Sequence, residues 1–471
     1  MPRSEIGTHY KWATPGSHLR ALQPVMRKIL ILGAGRSASS LIDYLITHAD
    51  QQEWRITVAD KDAAQAQRMV HEGPAVAQGT ALDALDAEAR ASLIAQHDLI
   101  ISMLPAFMHM DVLKDCLALG KHVITPSYVP DALWPMDAAF KAKGLIVLNE
   151  MGLDPGIDHM SAMRILDRIH AEGGRMEAFE SHCGGLVAPE SDDNPWGYKF
   201  SWNPRNVILA GQGGAAKYIR DGQVKYIPYH RLFTDTVRIS VKDLGEFDAY
   251  ANRDSLKYRK AYGLEEIPTL LRGTLRKAGY CESWNTFVQL GCTDDSYAME
   301  LPATATYNDY LDSFLPHAAG RDTRTMLAET LGLDPKGEVM AKLDWLDLFS
   351  DKTVGAVGLS PAATLQRLLE EKWKLGTDDK DLVVMWHRFR YSIEGQHQEL
   401  QASLGVIGQD QTHTAMARTV GLPIAMACKL VLNGKLEDRG VLLPLKPAIY
   451  DPILNELEKH GIVFREEEIE A

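Results

Sequence analysis

A strand, a glycine turn, a helix and a second strand follow one another between residues 27 and 60, and this stretch constrains the fold more than any other. Residues 28–32, KILIL, form an apolar run with the length of a buried strand. The turn that follows, residues 33–38, reads GAGRSA and fits the pattern G-x-G-x-x-A. A helical segment leads to the second strand, residues 55–59, which ends at Asp60. This order predicts the first unit of a dinucleotide-binding domain.

Each part of this unit has a physical reason to bind a dinucleotide. Gly33 permits the tight turn, Gly35 lets backbone N–H groups approach a pyrophosphate, and Ala38 lets the helix pack closely on the strand. The N-terminus of the helix adds partial positive charge for the phosphates. Asp60, at the tip of the second strand, can accept hydrogen bonds from both hydroxyls of the adenosine ribose. A tight turn without a ligand is the alternative interpretation.

Length, composition and charge bound the class of protein. A chain of 471 residues is long enough for two or three domains, and its hydrophobic content of 45% and charged content of 24% are typical of a soluble globular protein. The net charge of −13 argues against a nucleic-acid or anionic-membrane partner. The scattered cysteines include no C-x-x-C pair, which predicts reduced thiols, a cytoplasmic location and no metal site. They are Cys116, Cys183, Cys281, Cys292 and Cys428.

Neither end of the sequence predicts a membrane segment. Residues 1–26 are polar, contain prolines and lack an apolar core of signal-peptide length, so we expect a disordered tail outside the fold. The alternatives are a natural start at Met26, immediately before the first strand, and a transit peptide. The longest apolar stretch near the other end, residues 420–432, is interrupted by Pro423 and Lys429. No segment is therefore expected to span a membrane.

Strands and helices continue to alternate as far as residue 148. We predict strands at 98–103, 122–125 and 145–148, with helices at 109–119 and 131–143 between them. Repeated units of this kind predict an α/β fold with a doubly wound parallel sheet. Ligands of such sheets gather at the carboxyl ends of the strands.

Two of these strand ends carry polar side chains. Ser127 and Tyr128 place a hydroxyl and a phenol at one of them. The Gly- and Pro-rich turn after the next strand carries Asp154, Asp158 and His159. Helix capping and a satisfied polar pair are the simpler interpretation of Asp158 and His159. Asp154 precedes a proline, which holds its backbone extended, and we expect it on the face where a nicotinamide would lie.

The pattern changes after residue 160. Residues 175–183 predict a strand, and the Asn-, Pro- and Trp-rich residues 191–205 predict a shaped loop. The remaining elements are a mostly helical region at 281–380, a β-hairpin of residues 383–393 and 398–407, and helices at 416–432 and 452–459.

Several longer segments resemble the glutamate-forming saccharopine dehydrogenases, also called saccharopine reductases. GLDPGIDHM and NPWGYKFSW are much more diagnostic than the glycine turn alone. The matching segments run in the family's order from residue 27 towards the C-terminus: KILILGAGRSAS, NEMGLDPGIDHM, SHCGGLVAPESDDNPWGYKFSWNPRNV, NRDS, RGTLR and MARTVGLPIAMACKLVLNGK.

The resemblance implies an oxidoreductase of lysine metabolism. Such enzymes interconvert saccharopine, water and NAD(P)⁺ with L-glutamate, 2-aminoadipate 6-semialdehyde and NAD(P)H, by hydride transfer at the carbon of a secondary amine and hydrolysis of the imine. The implied fold has a Rossmann-like domain at 27–150, a mixed α/β substrate and dimerisation domain at 151–280 and 381–411, and an all-α domain at 281–380. Helices near 412–471 are expected to return to the first domain or the second. A homodimer is expected.

Together with the glycine motif, the resemblance implies a set of cofactor contacts. NADP-using relatives tend to have a basic or small residue at the position of Asp60. A carboxylate there repels the 2′-phosphate of NADP, although Lys61 could offset part of this repulsion. NAD is therefore predicted as the favoured cofactor, with NADP as the alternative. The cofactor-binding residues implied are Gly33, Ala34, Gly35, Arg36, Ser37, Ala38, Asp60, Lys61, Asp62, Asp83, Ala84, Leu104, Thr125, Ser127, Leu153, Asp154 and Ile157.

Substrate contacts are implied in the same way. Saccharopine carries three carboxylates, and a guanidinium binds a carboxylate through two hydrogen bonds. Arg253 and Arg276 are therefore expected to hold two of them. The implied substrate-binding residues are Ser127, Tyr128, Asp154, Arg253, Thr274, Leu275 and Arg276.

Tyr128, Asp154 and Cys183 match polar residues of the family's active site and are predicted to be catalytic. Imine hydrolysis needs proton transfers to and from water and the amine nitrogen. We expect no covalent intermediate. Cys183 beside His182 could suggest a thiol nucleophile, but neighbours along a strand point to opposite faces.

Two other functions stay open. A carboxyspermidine-type dehydrogenase, which reduces the imine of a diamine and aspartate semialdehyde, would need acidic groups for a cationic substrate arm. The arginines of NRDS and RGTLR favour an anionic arm instead. A non-catalytic NAD-binding sensor would keep the glycine turn but would need no polar cluster at Tyr128, Asp154 and Cys183.

Overall fold

The computed structural model describes residues 26–70, 75–317 and 320–470. The expected tail at 1–26 lies outside these residues, except for Met26. The strands are β1 (Arg27–Leu32), β2 (Trp54–Asp60), β3 (Ala77–Ala81), β4 (Leu99–Ser102), β5 (His122–Ile124), β6 (Ile146–Leu148), β7 (Arg175–Val187), β8 (Ala216–Arg220), β9 (Gln223–Ile227), β10 (Val237–Val241), β11 (Gly245–Ala251), β12 (Thr269–Lys277), β13 (Asp381–Ile393), β14 (Gln396–Ile407), β15 (Gly440–Leu442) and β16 (Arg465–Ile469).

The helices connect these strands and fill the region between β12 and β13. They are α1 (Ser39–Gln52), α2 (Ala63–Met69), α3 (Ala87–Ala95), α4 (His109–Leu119), α5 (Asp137–Ala142), α6 (Ile157–Ala171), α7 (Pro204–Ile208), α8 (Tyr280–Leu290), α9 (Tyr307–Asp312), α10 (Thr323–Leu331), α11 (Glu338–Trp345), α12 (Pro361–Lys372), α13 (Ala415–Leu432) and α14 (Pro447–Lys459).

The first sheet has the strand order β3-β2-β1-β4-β5-β6-β15, and each neighbouring pair is parallel. The α/β prediction is therefore confirmed. The strand order reverses between β1 and β4, and in open sheets of this type ligands bind at that point, outside the carboxyl ends of the strands. The apolar run of β1 lies at the centre of the sheet, where Ile29 to Leu32 are fully buried.

One predicted helix in this half differs in the structure. Residues 131–143 form a 3-10 helix, Asp131–Met136, followed by the separate helix α5. Pro135 lies inside the first part and has no N–H group to donate to the preceding turn, so a continuous α-helix would lack one hydrogen bond there.

The second sheet is mixed, with the order β10-β11-β12-β7-β13-β14-β16, and β8 and β9 join it beside β12. β7 and β12 are parallel, and β13 is antiparallel to β7. The predicted hairpin is confirmed as β13 and β14. Its two-residue turn, Glu394 and Gly395, has φ of +51° and +82°, as a tight hairpin requires.

Helices α8–α12 pack around an apolar cluster to which strands β8, β9, β11 and β12 also contribute. Trp196, Trp284 and Trp373 are at most 1% exposed and form its centre, together with Tyr310 and Leu365. A different cluster joins the two sheets, because residues of β1, β7, β13, α6 and α13 all contribute to it.

Helix α13 returns the C-terminal part of the chain to the first sheet. It packs against α1, and β15 then extends the sheet beside β6. By length and composition alone α13 could cross a membrane, but 72% of it is buried inside the fold. Such burial is typical of a core helix.

Candidate active site

The glycine turn between β1 and α1 forms an open cradle. Gly33 has φ +101°, which strongly favours glycine, and a Cβ atom there would lie 3.1 Å from the Met103 carbonyl oxygen. At Gly35 a Cβ atom would meet nothing within 4 Å, so a ligand can approach the backbone directly. A cavity of about 360 Å³ lies at this turn. Its lining is Ala34, Gly35, Arg36, Ser39, Asp60, Gln65, Met69, Gln411 and Thr412.

The residues of this cradle fit a dinucleotide. The turn leads through the 3-10 helix Arg36–Ala38 into α1, so its N–H groups and the dipole of α1 can face a pyrophosphate. Asp60 also contacts the turn: its Oδ2 atom accepts the N–H of Ala34 at 2.7 Å, and its Oδ1 atom accepts the N–H of Asp62 at 3.0 Å. Lys61 lies beside it and forms an exposed ion pair of 3.3 Å with Asp83.

A hydroxyl and imidazole network joins the ends of β4 and β5. The Nδ1 atom of His109 lies 2.8 Å from Ser102 Oγ, and its Nε2 atom lies 2.7 Å from Ser127 Oγ. Burial lowers the pKa of His109 to about 4, so the ring is neutral and can donate at one nitrogen and accept at the other. His109 thereby orients Ser127. No sequence motif points to His109, which lies at the start of α4.

An acidic pair and one arginine meet between the two sheets. The Nη2 atom of Arg272, on β12, donates to Asp154 Oδ1 at 2.7 Å and to Asp158 Oδ2 at 2.6 Å. The hydroxyl of Tyr128 donates to the same oxygen of Asp154 at 3.0 Å. The turn after β6 and the start of α6 supply the acids, so the site lies where the strand ends of the first sheet face the second. Asp154 and Tyr128 are thus brought together as predicted.

The two acids have different environments. Burial and the neighbouring Asp158 carboxylate raise the pKa of Asp154. Burial also acts on Asp158, but His159, Arg272 and the Gly156 N–H outweigh it and lower the pKa of Asp158. The Asp154 side chain is 18% exposed and that of Asp158 only 1%. Asp154 is therefore the acid suited to exchange a proton with a bound substrate.

A buried polar group lies behind the acidic pair. The Nε2 atom of His159 lies 2.8 Å from Glu150 Oε2, and its Nδ1 atom lies 2.5 Å from the Tyr262 hydroxyl. Tyr258 donates to both oxygens of Glu150 at 3.1 Å. These contacts agree with the simpler interpretation of His159 as a satisfied polar residue. Asp158 accepts the N–H of Gly156 at 2.7 Å, next to the start of α6. It also accepts a hydrogen bond from Arg272 on β12, a contact that the helix-capping interpretation did not predict.

Cys183 lies on the same sheet face as Thr274, its register partner on β12. Burial and the acids Asp154 and Asp158 raise the pKa of Cys183 well above its ordinary value, so the thiol stays protonated. His182 lies on the opposite face, with its ring centroid 5.7 Å from that of Trp386. A Cys–His nucleophile is excluded by this arrangement.

Arg276 is buried among tyrosine rings. Its side-chain carbon Cζ lies 5.5 Å, 5.9 Å and 5.6 Å from the ring centroids of Tyr198, Tyr250 and Tyr280. The residue is 4% exposed, its Nη1 donates to the Leu275 carbonyl, and its Nε has no hydrogen-bond partner. No carboxylate of the described residues forms an ion pair with it. A buried cation in this state is costly unless a ligand supplies the anion.

The other residues that the resemblance implies for substrate binding lie on different faces of the sheet or in a turn after one of its strands. Thr274 shares the sheet face of Arg272 and Arg276, because residues two apart on a strand point the same way. Leu275 packs in the apolar cluster of the opposite face, so its side chain does not face the acids. Arg253 is exposed, with φ +37°, in the turn after β11.

The structure adds Arg272 to the residues named from the sequence. Alternation along RGTLR offered a signal, because Arg272, Thr274 and Arg276 must share one face once the segment is a strand. Gly273 has a packing reason: an added Cβ would lie 2.4 Å from the His182 ring and 2.6 Å from the Tyr250 carbonyl oxygen. Among the residues described, no group of three His, Cys, Asp or Glu side chains could hold a metal ion.

A parallel sheet in this order, with an open glycine turn and a polar cluster at its carboxyl edge, defines a dinucleotide-dependent oxidoreductase. Two family models match the chain. The saccharopine dehydrogenase NADP binding domain matches residues 29–148, and the saccharopine dehydrogenase C-terminal domain matches residues 152–462. The chain belongs to the saccharopine dehydrogenase family.

Individual relatives agree with this assignment. The chain is 35% identical over 450 residues to saccharopine dehydrogenase (NADP⁺, L-glutamate-forming) of Pyricularia oryzae, covering 93% of this chain and 98% of the relative. It is 33% identical to the protein of the same name from Saccharomyces cerevisiae, covering 94% and 99%. The structure is similar to that of the apo yeast enzyme, with a TM-score of 0.84 over 94% of this chain and 100% of that one.

The prediction that NAD is the favoured cofactor is wrong. The model that matches residues 29–148 is that of an NADP binding domain, and both fungal relatives are named as NADP⁺ enzymes. The contacts of Asp60 give a physical reason. Its carboxylate accepts the backbone N–H of Ala34 in the glycine turn and that of Asp62, which offset its charge, and Lys61 beside it is 79% exposed. The repulsion expected from an unpaired carboxylate is thereby reduced.

Proposed function

We propose that this chain oxidises saccharopine with NADP⁺ and water to L-glutamate, 2-aminoadipate 6-semialdehyde and NADPH. One observation carries the proposal: Arg276 is a buried cation without an anionic partner among the residues that the structure describes, on the sheet face from which Arg272 contacts the acid pair. A substrate with a carboxylate beside an amine could pair its carboxylate with Arg276 and place its amine near the acid pair. The names of the fungal relatives support this choice of substrate.

The chain's own residues can support the chemistry at the amine. NADP⁺, when bound, accepts the hydride from the carbon that carries the secondary amine. Hydrolysis of the resulting imine needs a group that takes a proton from water and returns one to nitrogen. Asp154 suits this role, because its pKa is raised and it is the more exposed of the two acids. Tyr128 holds one of its oxygens through a hydrogen bond.

The arginines are placed to bind the carboxylates of saccharopine. Arg276 would pair with one of them inside the tyrosine cluster, where low solvent exposure strengthens the attraction. Arg253, exposed at the turn after β11, would bind a second carboxylate. A cationic diamine arm would instead meet an unpaired guanidinium, so carboxyspermidine-type substrates are disfavoured.

The test is an assay of the purified chain for NADPH formation. We expect saccharopine with NADP⁺ to give equal amounts of NADPH and L-glutamate, and to react faster than with NAD⁺. No product from saccharopine, together with turnover of carboxynorspermidine, would contradict the proposal. A chain that binds NADPH but oxidises neither compound would support the sensor instead.

The variant Asp154→Asn tests the role of the acid. We expect kcat to fall about 10²-fold or more, which is the usual contribution of a general acid or base. Asn cannot exchange the proton but keeps the size and the hydrogen-bonding oxygen of Asp. A fall of less than about tenfold, measured at several pH values, would remove Asp154 from the proton transfers.

We also propose a cytoplasmic homodimer. The resemblance to the family supports the dimer, and the reduced, buried cysteines support the compartment. Light scattering of the purified chain and microscopy of a tagged chain test the two statements.

A further inference from the structure

We propose that Arg272 is a positioning residue for this reaction: it holds Asp154 towards the substrate, and Asp158 serves as its buried counter-charge rather than as a reactant. This inference rests on the proposed function for its kinetic readout. The alternation along RGTLR puts Arg272 on the sheet face of Arg276, and the geometry of its contacts carries the inference.

The contacts of Arg272 assign different roles to the two acids. One nitrogen, Nη2, donates to both carboxylates, at 2.7 Å to Asp154 and 2.6 Å to Asp158. The side chains of Arg272 and Asp158 are 7% and 1% exposed, whereas that of Asp154 is 18% exposed. Only Asp154 therefore offers accessible surface to a substrate, and the other two groups form the structure behind it.

The arginine itself is fixed from several sides. Its Cζ atom lies 4.6 Å from the ring centroid of Tyr258. Its backbone N–H donates to Ser255 Oγ at 2.9 Å, and its carbonyl oxygen accepts the N–H of Asn252 at 2.8 Å. β12 lies between β7 and β11 in the sheet. A guanidinium anchored in this way can fix the direction of the Asp154 carboxylate.

Removing either Arg272 or Asp158 should shift the pKa of Asp154, and the charge that is removed sets the direction. Arg272 favours its charged form, and Asp158 disfavours it. The titratable and charged groups around the two acids and their direct neighbours come from every element packed there: Tyr128 after β5, Glu150 after β6, Asp158 and His159 on α6, Cys183 on β7, Tyr258 and Tyr262 after β11, Arg272 and Arg276 on β12, and His387 on β13.

The experiment measures kcat/KM against pH for three variants. If Asp154 acts as a base, activity falls as pH falls through its pKa. Arg272→Gln should move this acid limb upward by about one pH unit or more, because a nearby cation is lost. Asp158→Asn should move it downward, because a nearby anion is lost. Arg272→Lys keeps the charge, so the limb should return towards the wild-type position although kcat stays reduced.

Arg388→Gln is the matched control. Arg388 pairs with Glu180 at 2.6 Å on the opposite face of the same sheet, so its loss should lower stability without moving the acid limb. Circular dichroism and thermal unfolding identify variants that fail to fold. If Arg272→Gln does not fold, Arg272→Lys and Asp158→Asn decide the question.

A second measurement does not depend on saccharopine. The carboxyl infrared band that disappears in Asp154→Asn can be titrated in the wild type and in the Arg272 and Asp158 variants. Opposite shifts in Arg272→Gln and Asp158→Asn support the inference, even if the wild type fails to oxidise saccharopine and the proposed function is wrong. Unchanged titration of Asp154 in both variants overturns it, even where saccharopine is oxidised.

Discussion

At the scale of single residues, Arg276 has the most unusual environment in the substrate region. Its burial, with no carboxylate partner in the described part of the chain, is unfavourable in the free protein. Replacement by an apolar side chain of similar length should therefore leave stability unchanged or raise it. We expect Arg276→Met to keep or increase the thermal midpoint while KM for saccharopine rises at least about tenfold, since a charge-assisted hydrogen bond contributes about 1.5–3 kcal/mol.

Arg253 provides the comparison for that variant. It is exposed, so Arg253→Ala should leave the thermal midpoint unchanged, raise KM for saccharopine by a similar factor and leave NADPH affinity unchanged. Steady-state kinetics and scanning calorimetry on both variants measure these values. An unchanged KM in Arg276→Met, or a large loss of stability, would show that the guanidinium has a structural partner instead of a substrate carboxylate.

Cys183 lies near Asp154 and Asp158, and its chemistry depends on its burial. Because its pKa is raised well above the ordinary value, little thiolate exists near neutral pH. We expect iodoacetamide to leave activity almost unchanged in the native protein. The same reagent in denaturant should modify all five cysteines, which is the control. Rapid loss of activity with Cys183 alone modified would contradict the protonated thiol.

At the scale of elements, the two glycines of the glycine turn should respond differently to substitution by alanine. Gly33→Ala should destabilise the fold, since φ is +101° and Cβ would lie 3.1 Å from a carbonyl oxygen. Gly35→Ala should keep the fold, since Cβ would meet nothing, but should weaken NADPH binding, because the methyl group would occupy the space of the pyrophosphate. Thermal unfolding and titration calorimetry separate the effects; equal NADPH affinity in Gly35→Ala and wild type would place the phosphates elsewhere.

The elements that could be predicted from the sequence are those with a strong local signal. The apolar run of β1, the helix α4 and the hairpin β13–β14 each have regular periodicity and clear end signals. Apolar and polar residues alternate irregularly along strands β8 to β11, and one face of each strand packs against residues that are far away in the sequence. The short β15 was missed because three residues carry too little pattern, and its place beside β6 depends on where α13 returns.

The site was predictable to the extent that strand ends and motifs define it. Tyr128 and Asp154 could be placed because both follow buried strands. The alternation along RGTLR puts Arg272 on the face of Arg276, but its contact with the acids depends on the parallel pairing of β12 with β7, which no local pattern shows. The cofactor prediction was wrong because the sequence gives the charge of Asp60 but not the two N–H groups that it accepts.

At the scale of the whole molecule, the chain passes from the first sheet to the second and then returns. α13 runs beside α1, and a Cβ atom on Gly421 would lie 2.7 Å from the Leu41 backbone nitrogen. Since α1 begins directly after the glycine turn, this close contact connects the C-terminal segment to the cofactor cradle. Ser39, the first residue of α1, donates to the Thr412 carbonyl oxygen at 2.7 Å. Cofactor affinity and the packing of α13 should therefore change together.

This connectivity predicts how the molecule unfolds. One apolar cluster includes β1, β7, β13 and α13, whereas helices α8–α12 pack in a second cluster together with residues of β8, β9, β11 and β12. We expect amide hydrogens of β1 and β7 to lose protection at the same guanidinium concentration, because neither sheet can open without exposing the shared core. Peptides of α10 and α12 should follow a transition of their own. Hydrogen exchange measured by mass spectrometry across a denaturant series gives both midpoints.

The variant Gly421→Val tests the same point through one contact. The valine side chain would displace α1 from α13. We therefore expect β1 and β7 to lose protection together at a lower concentration of guanidinium chloride, and NADPH to bind more weakly. The midpoint of α10 should stay unchanged. Gly291→Ala, at the end of α8, is the control: its Cβ position is open but its φ of +85° strains an alanine, so the change should affect the cluster around α8–α12 without moving the midpoint of β1. If Gly421→Val lowers the midpoint of β1 but not that of β7, the two sheets are separate folding units and the shared core does not couple them.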